Sequence, residues 1–342
     1  MADPITIFRG ARGLYTKADP ARVQNSDEDG IVDLPVAMNV DISDTRRVGR
    51  RRGFTCKASV PAHSAFCEGG PCLFVSGNSL CRLGTDYSYA VLGSIAAPER
   101  RMRYVQATDG MIYFGNGRDK GIYNPKQDVL EPWVSEQPEA GPALSRIDDL
   151  KRRFFAGEIG FGQYSREAQD NLADLELTYS SPLPPVHLEY YRGRIYTAYD
   201  RFLIYSAEWG FSWFDFKNWF TPMPVGTRIT MLRRVDSPTV GGLFVGTTEG
   251  VYFLGGRSPD EFSQAKVSDN PPIEHTDVRV KASRVLEQGS GEGIMWTSKE
   301  GICFGGPDGV FIDLTESRID FPNAQSGTAL ERDGKYLCLL TV

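Results

Sequence analysis

The apolar positions of this chain fall in short alternating runs broken by glycine-containing turns, the period of strands rather than of helices. Three of these runs repeat one another: residues 245–256 read VGTTEGVYFLGG, residues 296–306 WTSKEGICFGG, and residues 106–117 QATDGMIYFGNG. Each reads as strand, two-residue acidic-Gly turn, strand. That is a β-hairpin whose glycine supplies the positive φ of the tight turn. Asp109, Glu249 and Glu300 are therefore turn residues before they are chemical groups, and Gly110, Gly250 and Gly301 complete the turns. Cys303 stands where the other copies carry Tyr252 and Ile112 or Tyr113. The position asks for an apolar strand residue, not a thiol.

Weaker relatives fill the intervals: FVSGNSLCRLG from Phe74, RGRIYTAYDRFLIYSAE from Arg192 and ALERDGKYLCLLTV from Ala329. Gly250 and Gly301 lie about 50 residues apart, the spacing of four-stranded propeller blades. The interval between Gly110 and Arg201 is nearly doubled. Residues 135–185 account for the excess, with SEQPEAGP and YSSPLPP framing the charged stretches RIDDLKRRFF and SREAQDNLADLEL, which read as a helix-containing insertion or irregular blade. Ser206 to Trp213, SAEWGFSW, fits the Ser-x-Asp-x-Gly-x-Thr-Trp turn known as the Asp box, with Glu208 for Asp and Ser212 for Thr.

The last segment supplies only part of a blade, and an open seam would leave strand edges unpaired. The hairpin through Asp44 and Thr45, in AMNVDISDTRRVGRRRGFTC, is expected to complete it. The expected fold is thus all-β: a β-propeller of roughly six four-stranded blades over residues 35–342, closed by N- and C-terminal strands. Residues 1–34 are expected to form an extended arm, too polar for a core of their own, lying on a neighbouring subunit or protein.

Composition agrees with this picture. The 342 residues carry net charge −6 and 41 % hydrophobic content, which excludes global disorder. No apolar run is long enough for a membrane helix, and MADPITIFRGARG lacks the basic-then-apolar pattern of a secretory leader. Without a leader, the six cysteines are expected to be reduced strand residues rather than a disulfide framework.

No motif selects an active site or a cofactor. His63, His187 and His275 are isolated, and are expected to face solvent or cap strands. Cys67 and Cys72 in CEGGPC, even joined by Cys56 and Cys81, lack the second knuckle of a zinc site. The glycines of GEIGFGQY and GGPDG precede no Lys-Ser/Thr and open no helix, so they read as turns rather than phosphate loops. A propeller glycosidase would need converging carboxylates, a Tyr nucleophile and arginines, and no spacing picks out such a set.

Two clusters remain. Arg46, Arg47, Arg50, Arg51 and Arg52 form a basic run, expected to make inter-strand or subunit ion pairs rather than DNA contacts, because the whole chain is acidic. Trp209, Phe211, Trp213, Phe214, Phe216, Trp219 and Phe220 form an aromatic group, expected mostly to pack between sheets; Trp209, Trp213 and Trp219 are its glycan-facing candidates.

The order of elements along the chain resembles the β-propeller structural proteins of tailed bacteriophages. LPVAMNVDISDTRRVGRRRGF from Leu34, then HSAF and FVSGNSLCRLG, is similar to their N-terminal arm, Asn-Val-Asp hairpin, basic strand and first blade. YYRGRIYTAYDRFLIYSAEWGFSWFDF, ITMLRRVDSPTVGGLFVGTTEGVYFLGG and GIMWTSKEGICFGGPDGVFIDLTESRIDF resemble the successive blades. The resemblance implies a non-enzymatic virion protein of the tail, at its tip, baseplate or nozzle, assembled in the bacterial host cytoplasm. Its implied partners are copies of itself in a ring and other tail proteins, with host glycan binding as the alternative. The chain is shorter than the large nozzle proteins, which favours a compact baseplate or tail-tip component.

Overall fold

A computed structural model describes residues 10–17, 31–38, 40–42, 45–51, 53, 55–57, 59–68, 70–135, 149–150, 152–154, 156–160, 162–164, 166–167, 170, 180–219, 223–287, 289–315 and 318–342. The chain is all-β with several four-stranded antiparallel sheets. It divides into two compact units, one of residues 58–269 with 307–309, the other of residues 1–57, 270–306 and 310–342. Among the described residues no helix is long and apolar enough to cross a membrane.

The second unit begins the chain. Strands β1 (Gly10–Leu14) and β2 (Ile31–Leu34) pair in parallel, and β3 (Val40–Ile42) and β4 (Val48–Arg50) form the expected antiparallel hairpin. Part of the expected arm is therefore tied to its own chain. The Thr16 N–H donates to Arg318 O at 2.9 Å, Lys17 pairs with Glu300 at 3.1 Å, and Arg318 pairs with Asp33. The remainder of the arm, residues 1–9 and 18–30, lies outside the described residues.

The first unit holds four meanders in succession. They are β5 (His63–Phe66), β6 (Cys72–Ser76), β7 (Ser79–Leu83) and β8 (Tyr89–Ser94); then β9 (Arg103–Gln106), β10 (Ile112–Gly115), β11 (Lys120–Asn124) and β12 (Val129–Glu131). After the insertion come β13 (His187–Tyr191), β14 (Arg194–Tyr199), β15 (Phe202–Ala207) and β16 (Gly210–Trp219), then β17 (Ile229–Asp236), β18 (Gly241–Thr247), β19 (Gly250–Gly255) and β20 (Ser263–Ser268). Each strand pairs with the next, the up-and-down order of a propeller blade.

Burial explains the composition of these strands. β10, β13 and β18 are buried along their whole length, and β10 and β18 are built of apolar, aromatic and small residues, whereas β8 and β20 are mostly exposed. Three cores fill the spaces between successive sheets. Leu73, Leu80, Tyr104 and Phe114 belong to the first; Tyr113, Trp133, Leu188 and Phe214 to the second; Tyr196, Leu203, Leu232 and Val245 to the third. The sheets are thus stacked face to face, each strand set covering its neighbour's apolar side.

Helical turns occur where the charged insertion was expected to be helical, at 149–154 and 162–167 among the described residues. The apolar residues of this insertion are not peripheral. Leu150, Ile159 and Tyr164 are buried in the second core, and Phe154 packs against it.

The second unit continues with the meander β21 (Val278–Lys281), β22 (Glu292–Ser298), β23 (Gly301–Gly305) and β24 (Phe311–Asp313), followed by the hairpin β25 (Ser326–Arg332) and β26 (Lys335–Thr341). The first and last hairpins were expected to share one blade. They form separate two-stranded sheets, joined through side chains: Lys335 and Arg51 both reach the Asp41 carboxylate, at 2.9 and 3.4 Å. Lys335 and then Arg51 hold that carboxyl below its usual range.

One cysteine expectation is corrected. Cys67 and Cys72 are joined as a disulfide. The intervening segment includes Gly70, at φ 135°, and Pro71, turn residues that bring the two ends together. While bridged, neither sulfur can ligate a metal.

Candidate functional site

The three repeated turns are structural, and each is satisfied locally. In the turn before β19 the Thr247 hydroxyl donates to Gly250 O at 3.1 Å and accepts the Glu249 N–H at 3.2 Å. Before β23 Ser298 makes the same two bonds, to Gly301 O and from the Glu300 N–H, both at 3.2 Å. Before β10 the residue at that place is Ala107, and the Asp109 carboxylate substitutes for the hydroxyl: it accepts the Met111 N–H at 2.9 Å and the Tyr113 O–H at 2.8 Å. Asp109 is thereby committed to the turn. Cys303 is buried, and burial pushes its thiol up to about 12, which leaves negligible thiolate at neutral pH.

The sheet β13–β16 carries a different kind of turn. Arg192 and Gly193 link β13 to β14, both at positive φ (44° and 82°), as a two-residue type I′ hairpin turn requires. Glu208 and Trp209 link β15 to β16 in the Asp-box-like segment, and the Trp209 N–H donates to Gly193 O at 2.8 Å. The two turns therefore meet at one end of the sheet. Ser206 anchors the segment, its hydroxyl accepting the Ile195 N–H at 3.1 Å and donating to Ala207 O at 2.9 Å.

At this end the aromatic group separates into two kinds. Phe211 and Phe214 are buried in the second core, as packing predicts. Trp209 and Trp213 remain 64 % and 48 % exposed. Trp209 has φ 58°, a left-handed conformation rare for a bulky side chain. Its ring is seated against Gly193, where a Cβ would come within 3.1 Å of the indole; the Trp213 ring lies similarly over Gly210, at 3.3 Å. The side chain of Trp219 lies outside the described residues, as does Phe220.

Charged groups frame the pair. Arg194 donates to Ser206 O at 2.8 Å, lies over the Tyr205 ring and stands 3.7 Å from the Glu208 carboxylate. Arg192 pairs with Asp236 at 2.7 Å. Deeper in the unit, Glu189 is 1 % exposed. Its Oε1 accepts the Tyr190 N–H at 3.0 Å and its Oε2 lies 3.5 Å from Arg233. Burial raises its pKa, against the opposing pull of Arg233 and Arg234. Nothing in HLEYY marks that ion pair, because the partner lies on β17.

No family model matches this chain, and no curated protein does. Among solved structures it is similar to virginiamycin B lyase from Staphylococcus aureus (TM-score 0.46, 9 % identity, covering 78 % of this chain and 72 % of that one). It is also similar to a putative gluconolactonase (0.43, 11 %, covering 80 % and 81 %) and to BBS1N in complex with ARL6DN (0.45, 14 %, covering 88 % and 83 %). These likenesses join enzymes and a non-enzyme, and they assign none of their activities to this chain.

The remaining sequence candidates have surroundings of their own. Arg46, Arg47 and Arg50 are exposed on the β3–β4 hairpin, Arg51 makes the inter-strand ion pair with Asp41, and Arg52 lies outside the described residues. His63 bonds Ser64 Oγ and Pro98 O, at 2.8 and 2.7 Å. His187 is buried in β13 opposite Ala198, contrary to the expectation of a solvent-facing or capping role: this strand is buried along its whole length.

Proposed function

We propose that the chain is a structural component of a bacteriophage tail, at the distal tip, baseplate or nozzle, where copies assemble around the tail axis and dock neighbouring tail proteins or fibres. What carries this reading is the order of elements: arm, Asn-Val-Asp hairpin, basic strand and successive blades, running through most of the chain. In this reading the fold is a propeller of roughly six blades. The four-stranded meanders supply most of them, and Lys335 ties the β25–β26 hairpin to the β3–β4 hairpin at Asp41.

The physical support lies in rigidity and in the fate of the candidate chemistry. Sheets packed face to face with fully buried aromatics make a stiff body suited to bearing neighbours. The Asp109 carboxylate serves its turn, the Glu300 carboxylate pairs with Lys17, and the Cys303 thiol is buried and protonated. Arg46 and Arg50 are exposed cations on the β3–β4 hairpin, suited to acidic partner surfaces. The role is architectural rather than enzymatic.

A stop codon in the reading frame tests it. Cells infected with that mutant phage are expected to yield filled heads with defective or missing distal tails, and supplying the chain in trans restores infectivity. Intact, infectious particles lacking the chain would overturn the proposal.

A further inference from the structure

The end of the β13–β16 sheet has no part in that architectural reading, yet it departs from what folding alone would favour. An exposed turn at positive φ ordinarily takes Gly, Asn or Asp. Here it holds a tryptophan, at φ 58° and 64 % exposed, so neither backbone preference nor burial accounts for the residue. Trp213, four residues on, is 48 % exposed. Each ring is seated against a glycine: the chain has glycine at 193 and at 210, and only the absence of a Cβ there lets the indoles approach so closely.

From this geometry we infer that Trp209 and Trp213 form a sugar-binding platform for an equatorially substituted pyranose. The axial C–H groups of such a ring make a flat apolar face that stacks on an indole, while its equatorial hydroxyls project outward to polar groups. Glu208 and Arg194 supply these. Glu208 is more than half exposed and can accept from hydroxyls, and Arg194, held by Ser206 O and the Tyr205 ring, can donate. The pair is neutral overall, which suits an uncharged sugar better than a phosphate or a carboxylate. Rings already seated against backbone lose less conformational freedom on contact than free side chains, which favours an otherwise weak interaction. The inference concerns the isolated chain and stands whether or not that chain sits in a tail.

The experiment uses the full chain with cellotriose and the N-acetylglucosamine trimer as probes, read by saturation-transfer NMR and tryptophan fluorescence. Saturable binding of at least one sugar is expected, with a dissociation constant on the order of 1 mM. Trp213→Ala and Trp209→Asn should each weaken it about tenfold or more, with saturation transfer greatest at the axial C–H protons. Trp209→Asn carries a second readout, because asparagine accepts the left-handed conformation: the variant's melting temperature should equal or exceed the parent's. Absence of saturation transfer to either sugar overturns the inference. So does Trp209→Asn binding as tightly as the parent, or melting well below it, since the tryptophan would then be there for the fold.

Discussion

Replacing Trp133 with alanine is expected to destabilise the 58–269 unit by about 4 kcal/mol, the upper range for emptying a buried aromatic site. The side chain is fully buried in the second core. Its ring lies 5.1 Å from that of Tyr113 on β10 and 5.9 Å from that of Phe214 on β16, so it bridges two sheets. Its indole N–H also donates to Phe211 O at 3.0 Å. Alanine removes the contacts, leaves a cavity and strands a buried carbonyl, and these losses add in the same direction. Trp133→Phe keeps much of the apolar volume and should cost about half as much. Urea titration of both variants measures the difference. A loss under about 1 kcal/mol for the alanine variant would mean the sheets do not share this core.

The second large effect is a graded series across the repeated turns. Gly110 has φ 83° and nothing within 4 Å of where a Cβ would stand. Gly110→Ala should therefore cost only the left-handed penalty, about 1 kcal/mol. Gly250 and Gly301 have φ 141° and 152°, and there a Cβ would collide with Ser268 O and with Thr315 Oγ1. Their alanine variants bear the conformational penalty and an overpacking cost, about 3 kcal/mol each. Equal melting temperatures for all three would show that the turns are not built as described.

Why these turns were legible in the sequence, and other features were not, follows from the range over which each acts. An acidic-Gly pair flanked by alternating apolar residues fixes its own conformation within about ten residues, so the hairpins at Gly110, Gly250 and Gly301 and their blade-like repetition could be read directly. Cys303 could be reassigned for the same reason, by comparison with Tyr252. The pairing of Asp41 with Lys335 joins residues at opposite ends of the chain, and only the suspicion of an open seam pointed to it. Glu189 meets Arg233 across two strands, a contact no local pattern encodes.

The candidate site was half visible. The aromatic density around Trp213 was plain, but exposure is a property of the fold. The sequence could not separate Trp209 and Trp213, which face outward, from Phe211 and Phe214, which are buried. Alternation places Phe211 and Trp213 on the same face of an ideal strand, yet the register of β15 with β16 shifts between Ser206 and Ala207, so the simple in-out rule does not hold there. Compartment and composition point away from the disulfide, whereas the turn between Cys67 and Cys72 brings them together.

The most direct measurement is a reconstruction of the assembled phage particle at a resolution that traces strands. For the proposed tail role, density for this chain is expected in copies arranged around the tail axis at the distal end, with the β3–β4 and β25–β26 hairpins side by side within each copy. Particles whose tails are fully accounted for by other chains would contradict it.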